Sequence, residues 1–414
     1  MLAQRTDLFS TSGTARARAA AKAAAMSGRE IIDLSAGEIL CQPPPSLCAA
    51  AIAAIEAGVN RYTDTIGIDT LRQAIAQRLA KETGLSWGAD EIVVTAGAKQ
   101  ALFNTAMALL DPGDEVVIPS PYWTTFPTQV TLAGAHPIFV PTADTGYLPS
   151  VKEIEAALTP ATKAIIINTP NNPTGAVYSR ALLAELAALA IKHRLWVVSD
   201  ECYRSFVFEP NRHESIVAIA PEIRDRLIIV DSFSKSLALT GWRLGYLAGP
   251  RAVIAAVKAL QSHTTSNPNV IAQHAVLGYL QSGDDDFERS LLARLALARR
   301  RGREILSRMR LVATPEASGG FYFYLNLGAF LSVRGGHSMA DAGDAANVLL
   351  ERAGVAGVSG TAFGDPHGLR LSYGVPIEDL ERGLGRVVEF FNENEDAIGS
   401  RERDDRVAQR RTQG

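Results

Sequence analysis

The sequence predicts an α/β fold: a mainly parallel sheet covered by helices on both faces, joined to a smaller α+β part. Three observations carry this. Between about residues 91 and 249, short strand-like runs alternate with helix-patterned stretches. Those runs are apolar without polar alternation, the mark of strands buried on both faces. At 414 residues, 47% hydrophobic and 21% charged, the chain can bury one large core and a second, smaller one.

The elements follow in order. EIVVT precedes AKQALFNTAMALL, DEVVIP precedes WTTFPTQVTLAG, KAIIIN precedes SRALLAELAALAIKH, and LWVVSD and LIIVDS come after. Strands separated by amphipathic helices argue for parallel pairing. Two long helical stretches are expected over 251–282 and 284–309, after which FYFYLNL, GVAGVSG and GLRLSYG return to strand character before IEDLERGLGRVVEFF. The expected layout is a large domain over 46–290, a small domain built from 14–45 and 291–394, an N-terminal arm over 1–13 and a disordered tail over 395–414. The tail ends in RERDDRVAQRRTQG, which carries charge without apolar periodicity.

Composition narrows the function classes. A net charge of −3 announces no basic face, so no nucleic-acid partner is expected. No apolar run approaches the roughly 18 residues that span a bilayer, so no membrane insertion is expected. Cys41, Cys48 and Cys202 form no CxxC pair and no metal-ligand spacing, and three sparse thiols suit a reducing, cytoplasmic location. The first 29 residues carry Arg5, Arg16, Arg18, Lys22 and Arg29 against Asp7 alone, a transit-peptide-like asymmetry. ARARAAAKAAAM is also an ordinary alanine-rich helix, and that reading is preferred. The seven histidines show no HExxH or triad grouping, so no metal is expected.

In an open parallel sheet, ligands sit beyond the carboxyl ends of the strands. Four runs end tellingly there: EIVVT in AGAKQ, KAIIIN in TPNNPTG, LWVVSD in ECYR and LIIVD in SFSK. Gly97-Ala98-Lys99-Gln100 opens a helix, where small residues let backbone N–H groups meet an anion such as phosphate. Ser232, Ser234 and Arg243 add hydroxyls and a guanidinium to the same anion. Asp200 ends a buried strand and needs a cationic partner. Lys235, if desolvated, becomes a nucleophile toward an aldehyde. A phosphorylated pyridine aldehyde satisfies all of them, which describes pyridoxal 5'-phosphate.

Residues 232–245, SFSKSLALTGWRLG, resemble the lysine signature of the class I aminotransferases, pyridoxal-phosphate enzymes of fold type I. The resemblance runs over about 30–393, through LSAGE, RYTDTIGIDTLRQAI, GAKQALFN, DPGDEVVIPSPYW, PNNPTGAVY, VVSDECY and GLRLSYG. It implies that Lys235 is the Schiff-base lysine and moves the substrate's proton, and that Asp200 pairs with the pyridine nitrogen. Tyr203 and Asn172 would hydrogen-bond the ring oxygen, and Trp123 would stack on the ring. Ala98, Lys99, Ser232 and Arg243 would cradle the phosphate, and Tyr62 would reach a phosphate across the interface of a homodimer. Thr264, Thr265 and Ser266 would come from the same partner on this reading. Gly37 and Arg370 would hold the substrate α-carboxylate.

Bland readings stand beside these. Without the motif Trp123 reads as a core residue, Arg370 as a strand residue turned to solvent, Asn172 and Gly175 as turn chemistry, and Tyr203 as a packing tyrosine. Asp284, Asp285 and Asp286 read as a solvated helix start. The substrates implied are an amino acid and a 2-oxo acid. In related bacterial aspartate and prephenate aminotransferases, a lysine at the position of Lys99 meets the distal carboxylate, which favours aspartate or glutamate here. Two departures stand out: SAGEILCQPPPSL replaces an aromatic-containing rim segment, and Leu8 stands where prephenate-type members carry arginine, although Thr14 is a candidate match for their threonine. Prephenate therefore ranks below the dicarboxylic amino acids. A lyase, decarboxylase or oxidase on the same scaffold is the alternative, because fold does not fix the fate of the carbanion. A regulator with an aminotransferase-like domain is set aside, since about 30 residues are too few for a DNA-binding module.

Overall fold

The computed structural model describes residues 2–332 and 339–412, with side chains described through residue 394. Its strands in chain order are β1 (Ile32–Asp33), β2 (Ile92–Thr95), β3 (Glu115–Ser120), β4 (His136–Pro141), β5 (Thr162–Asn168), β6 (Trp196–Asp200), β7 (Leu227–Ser232), β8 (Gly245–Ala248), β9 (Tyr322–Asn326), β10 (Val355–Ala356), β11 (Val358–Ser359) and β12 (Gly368–Ser372). Seven of them form one sheet in the order β2-β8-β7-β6-β5-β3-β4. All its pairings are parallel except those of β8, which runs antiparallel to both β2 and β7.

The apolar runs do what their composition requires. Along β7, Leu227 and Ile229 belong to the core on one face, Ile228 and Val230 to the core on the other. Ile165 and Val197 join the first of these, Ile166 and Val198 the second. Each such buried side chain contributes about 1.5–3 kcal/mol, so a polar residue at any of these positions opposes the whole sheet.

Register then brings the strand ends together. Asn168 of β5 stands beside Asp200 of β6, while Gly245 of β8 stands between Ser232 of β7 and Thr95 of β2. The four tails singled out in the sequence therefore leave one edge of one sheet. Gly245 has to be glycine: a Cβ there would lie 2.7 Å from the Ala98 nitrogen and 2.8 Å from the Asp231 carbonyl.

Beside this sheet, β11, β12 and β9 pair antiparallel in that order, and β1 pairs in parallel with β10. Arg370 lies at the centre of β12, opposite Tyr324 of β9 and Val358 of β11.

Three expectations are corrected. The stretch 251–282 is two helices, Arg251–Thr264 and Val270–Ser282. Pro268 cannot donate to a helix and disfavours helical geometry at Asn267, Ser266 turns left-handed at φ 58°, and the Asn269 side chain caps the second helix by accepting from Ala272 N. The next helix is shorter than 284–309, running Asp286–Leu306. The final helix runs Ile377–Thr412, so the backbone is helical where a disordered tail was expected; Glu, Arg, Ala and Gln there are good helix formers even without an apolar stripe. Two strands escaped the sequence reading. HPIFVP forms β4, whose prolines an edge strand tolerates, and GYLA forms β8. Among the described residues no helix is long and apolar enough to cross a membrane.

Candidate active site

The converging strand ends line a cavity of about 420 Å³. Ala98, Lys99, Trp123, Asn172, Asp200, Tyr203, Ser232, Lys235, Arg243, Gly37 and Arg370 all border it. Tyr62 does not: it is 89% exposed on the surface of this chain. Thr264 and Thr265 are also exposed, with Ser266 partly so, and none of the three borders the cavity.

Lys235 sits in the short helix Phe233–Ser236 that follows β7, and its Nζ donates to the Gly37 carbonyl. Burial brings its pKa down to about 8, with the charges of Arg370 and Arg243 pushing the same way. The amine is thus far closer to its free-base, nucleophilic form at neutral pH than a solvated lysine. Asp200, at the end of β6, is 4% exposed. Loss of water raises its carboxyl to about 6, the acids Asp231 and Glu201 add repulsion, and a hydrogen bond from Cys202 N at 3.1 Å only partly offsets this. Such an acid is best satisfied by a cation brought in with a ligand.

The anion end lies at the start of the helix Ala98–Leu109. Gly97 caps it at φ 81°, and the first N–H groups of a helix have no carbonyl of their own helix to meet. Arg243, itself left-handed at φ 57°, donates from Nη1 to the Thr240 carbonyl at 2.9 Å and from Nη2 to the Ala96 carbonyl at 3.3 Å. Its guanidinium is close enough to Gly97 that a Cβ there would lie 2.7 Å from Nη2. Ser232 and Ser234 are buried beside it.

The opposite end is a hydrogen-bonded chain. Arg370 donates from Nη1 to Asn172 Oδ1 at 2.9 Å and from Nη2 to the Ser35 carbonyl at 3.0 Å. Asn172 Nδ2 donates to the Tyr203 hydroxyl at 3.0 Å, which lies 3.0 Å from that of Tyr322. The guanidinium is held 4.3 Å from the ring of Tyr322 and 5.0 Å from that of Phe363. At 2% exposure Arg370 is not turned to solvent, and its Nε is buried without a partner. A buried fork with a vacant donor suits a carboxylate. Trp123 forms a half-buried wall, with Lys99 Nζ 5.0 Å over its ring. Burial, followed by repulsion from Arg243, lowers the Lys99 pKa.

Sequence reasoning missed Asn168, Cys202, Tyr322, Glu38 and Arg18, which border the same cavity. Asn168 had a signal, since it ends KAIIIN in register with Asp200; its Oδ1 accepts from Asn172 N at 2.9 Å. Tyr322 had none, because FYFYLNL alternates aromatics and one pattern does not tell which points to a ligand.

A nucleophilic amine, a buried acid awaiting a cation and an anion-ready helix start, on the carboxyl edge of a parallel sheet, fit a phosphorylated pyridine aldehyde. Comparison with known proteins points to the same class. The model of the family "Aminotransferase class I and II" matches residues 29–387. The chain is 39% identical to an aspartate/prephenate aminotransferase of Cereibacter sphaeroides, across 89% of this chain and 93% of that one. It is 39% identical to an aspartate aminotransferase of Streptomyces avermitilis, across 95% and 97%. Among solved structures, aspartate aminotransferase from Thermus thermophilus with maleate superimposes with a TM-score of 0.85 at 36% identity, covering 94% of this chain and 99% of that chain. The Rhizobium meliloti aspartate aminotransferase gives 0.87 at 33%, covering 95% and 99%. The chain belongs to the class I and II aminotransferases. It is an enzyme that moves an amino group between an amino acid and a 2-oxo acid.

Proposed function

We propose that this aminotransferase binds pyridoxal 5'-phosphate through Lys235 and takes aspartate or glutamate as amino donor in ping-pong half-reactions. The observation that carries the reading is the pairing, in one cavity, of a lysine with pKa brought down to about 8 and a buried acid raised to about 6. When bound, the cofactor supplies an electron sink for the substrate's Cα electron pair.

The chain's own groups do the rest. Asp200 holds the ring nitrogen protonated, and Asn172 and Tyr203 offer hydrogen bonds to the ring oxygen. Arg243, Ser232 and the N–H groups of Ala98 and Lys99 hold the phosphate. Trp123 covers one ring face. Arg370, with Gly37 beside it, takes the substrate α-carboxylate, and Lys99 takes the distal carboxylate. The free amine of Lys235 would take up the substrate's Cα proton as the base of each half-reaction. Tyr62 serves the phosphate of a second copy in a homodimer.

Two measurements test this. Borohydride reduction of resting enzyme should fix the cofactor on one peptide, the one containing Lys235, and Lys235→Ala should leave nothing to trap. Mixing resting enzyme with aspartate or glutamate should convert the chromophore to its amine form with one equivalent of the 2-oxo acid released. Carbon dioxide or ammonia as the stoichiometric product would instead establish a decarboxylase or lyase.

A further inference from the structure

The acids bordering the cavity among the described residues are Asp200 and Glu38. Asp200 faces the cofactor end, and Glu38 stands at the mouth. Its Oε2 accepts from the Thr240 hydroxyl at 3.0 Å, and its Oε1 pairs with Arg18 Nη2 at 2.8 Å. Burial is the larger influence on Lys235 and Tyr322, but the charge of Glu38 also raises the pKa of both, so its field reaches the reacting centre.

A dicarboxylic substrate entering this mouth meets that field. An uncompensated carboxylate there repels it and attracts a cationic side chain instead. Arg18 supplies the compensation from the helix Gly13–Met26, an element that bears none of the residues assigned above to the cofactor. Its side chain is 66% exposed against 26% for Glu38, so the guanidinium stays within reach of solvent and of an arriving ligand. Thr240, the other hydrogen-bonding partner of Glu38, is neutral, and Arg18 is the cation in direct contact with that carboxylate.

We propose that Arg18 is a specificity-determining residue: by neutralising Glu38 at the pocket mouth it admits donors with an anionic side chain. Without it, the same mouth favours neutral and cationic donors. This deepens the dicarboxylic reading above and rests on it.

The test is half-reaction kinetics of the cofactor-loaded enzyme with aspartate, alanine and ornithine, comparing wild type, Arg18→Met, Arg18→Lys and the double variant R18M/E38Q. The expected result is a fall of about fivefold in the aspartate-to-alanine ratio of kcat/KM in R18M, the range set by a half-exposed ion pair. The loss should lie in KM for aspartate, shrink in high salt, be absent in R18K and be reversed in R18M/E38Q, with ornithine gaining in R18M. A ratio unchanged within twofold overturns the proposal, as does a parallel fall for aspartate and alanine, which would mark the pair as structural. A wild type that prefers alanine over aspartate sinks the dicarboxylic reading itself, and the R18M ratio still decides whether Arg18 steers charge.

Discussion

Asp200 costs the ligand-free fold stability. Its carboxyl, ordinarily at 3.8, titrates near 6 in the fold because burial penalises the anion. Between those values the folded apoprotein keeps a proton that the unfolded chain has released, so stability falls as pH rises through the window and stays lowered above it. Asp200→Asn is therefore expected to stabilise the cofactor-free protein at pH 7 by about 2–3 kcal/mol, an advantage that vanishes near pH 4. Paired melting curves of the apoproteins check this, and an apo variant no more stable than wild type refutes it. The same substitution should weaken cofactor retention and cripple turnover. Lys235 mirrors this behaviour: its pKa drops from 10.5 to about 8, so the fold's penalty on the charged amine is full below about 8 and is relieved as pH rises toward 10.5. At Lys99, replacement by alanine should cost about tenfold in kcat/KM for aspartate and little for alanine as donor, read from the same half-reaction. That Lys235 and Asp200 share one cavity was legible in the sequence because each sits just past an apolar run, where a charge needs a reason. Tyr322 and Arg18 were not, since their roles depend on which element packs opposite, and one-dimensional order does not carry that.

At the level of elements, the turn from β2 into the helix Ala98–Leu109 is constrained by its glycine. Gly97 is left-handed, and an added Cβ would strike the Arg243 guanidinium that closes the anion cradle. Gly97→Ala is expected to lower cofactor affinity at least about tenfold while the fold survives, because strain and displacement of Arg243 act together. Fluorescence titration of apoprotein with pyridoxal phosphate reads the change, and unaltered affinity would show that the cradle tolerates the shift. The buried strands were readable because sheet cores covered on both faces leave unbroken apolar runs. The outer strand β4 was hidden by its prolines and exposed positions, and β8 by its brevity. The break near Pro268 had a signal, a proline inside the stretch, which the reading of 251–282 as one helix passed over.

The whole molecule exposes what one copy does not use. Ile52, Ile55 and Tyr62 are 55%, 62% and 89% exposed, and the first two lie on the helix Pro45–Glu56. If a second copy covers them, dilution should lower activity and cofactor content together, and sedimentation should give a dimer where the enzyme is active. Full activity in a monomer would remove Tyr62 from the phosphate site. The pairing of β1 with β10 carries a different consequence. Ile32 meets Val355, and Ser35 accepts from Arg370, so residues separated by most of the chain's length meet to finish the pocket. A nascent chain still on the ribosome without its last hundred residues carries every strand of the central sheet but lacks Arg370 and its hydrogen bond to Ser35. A chain that stops short of β12 therefore carries the sheet residues that border the cavity without Arg370, so the order of synthesis is the order in which the pocket's lining is completed.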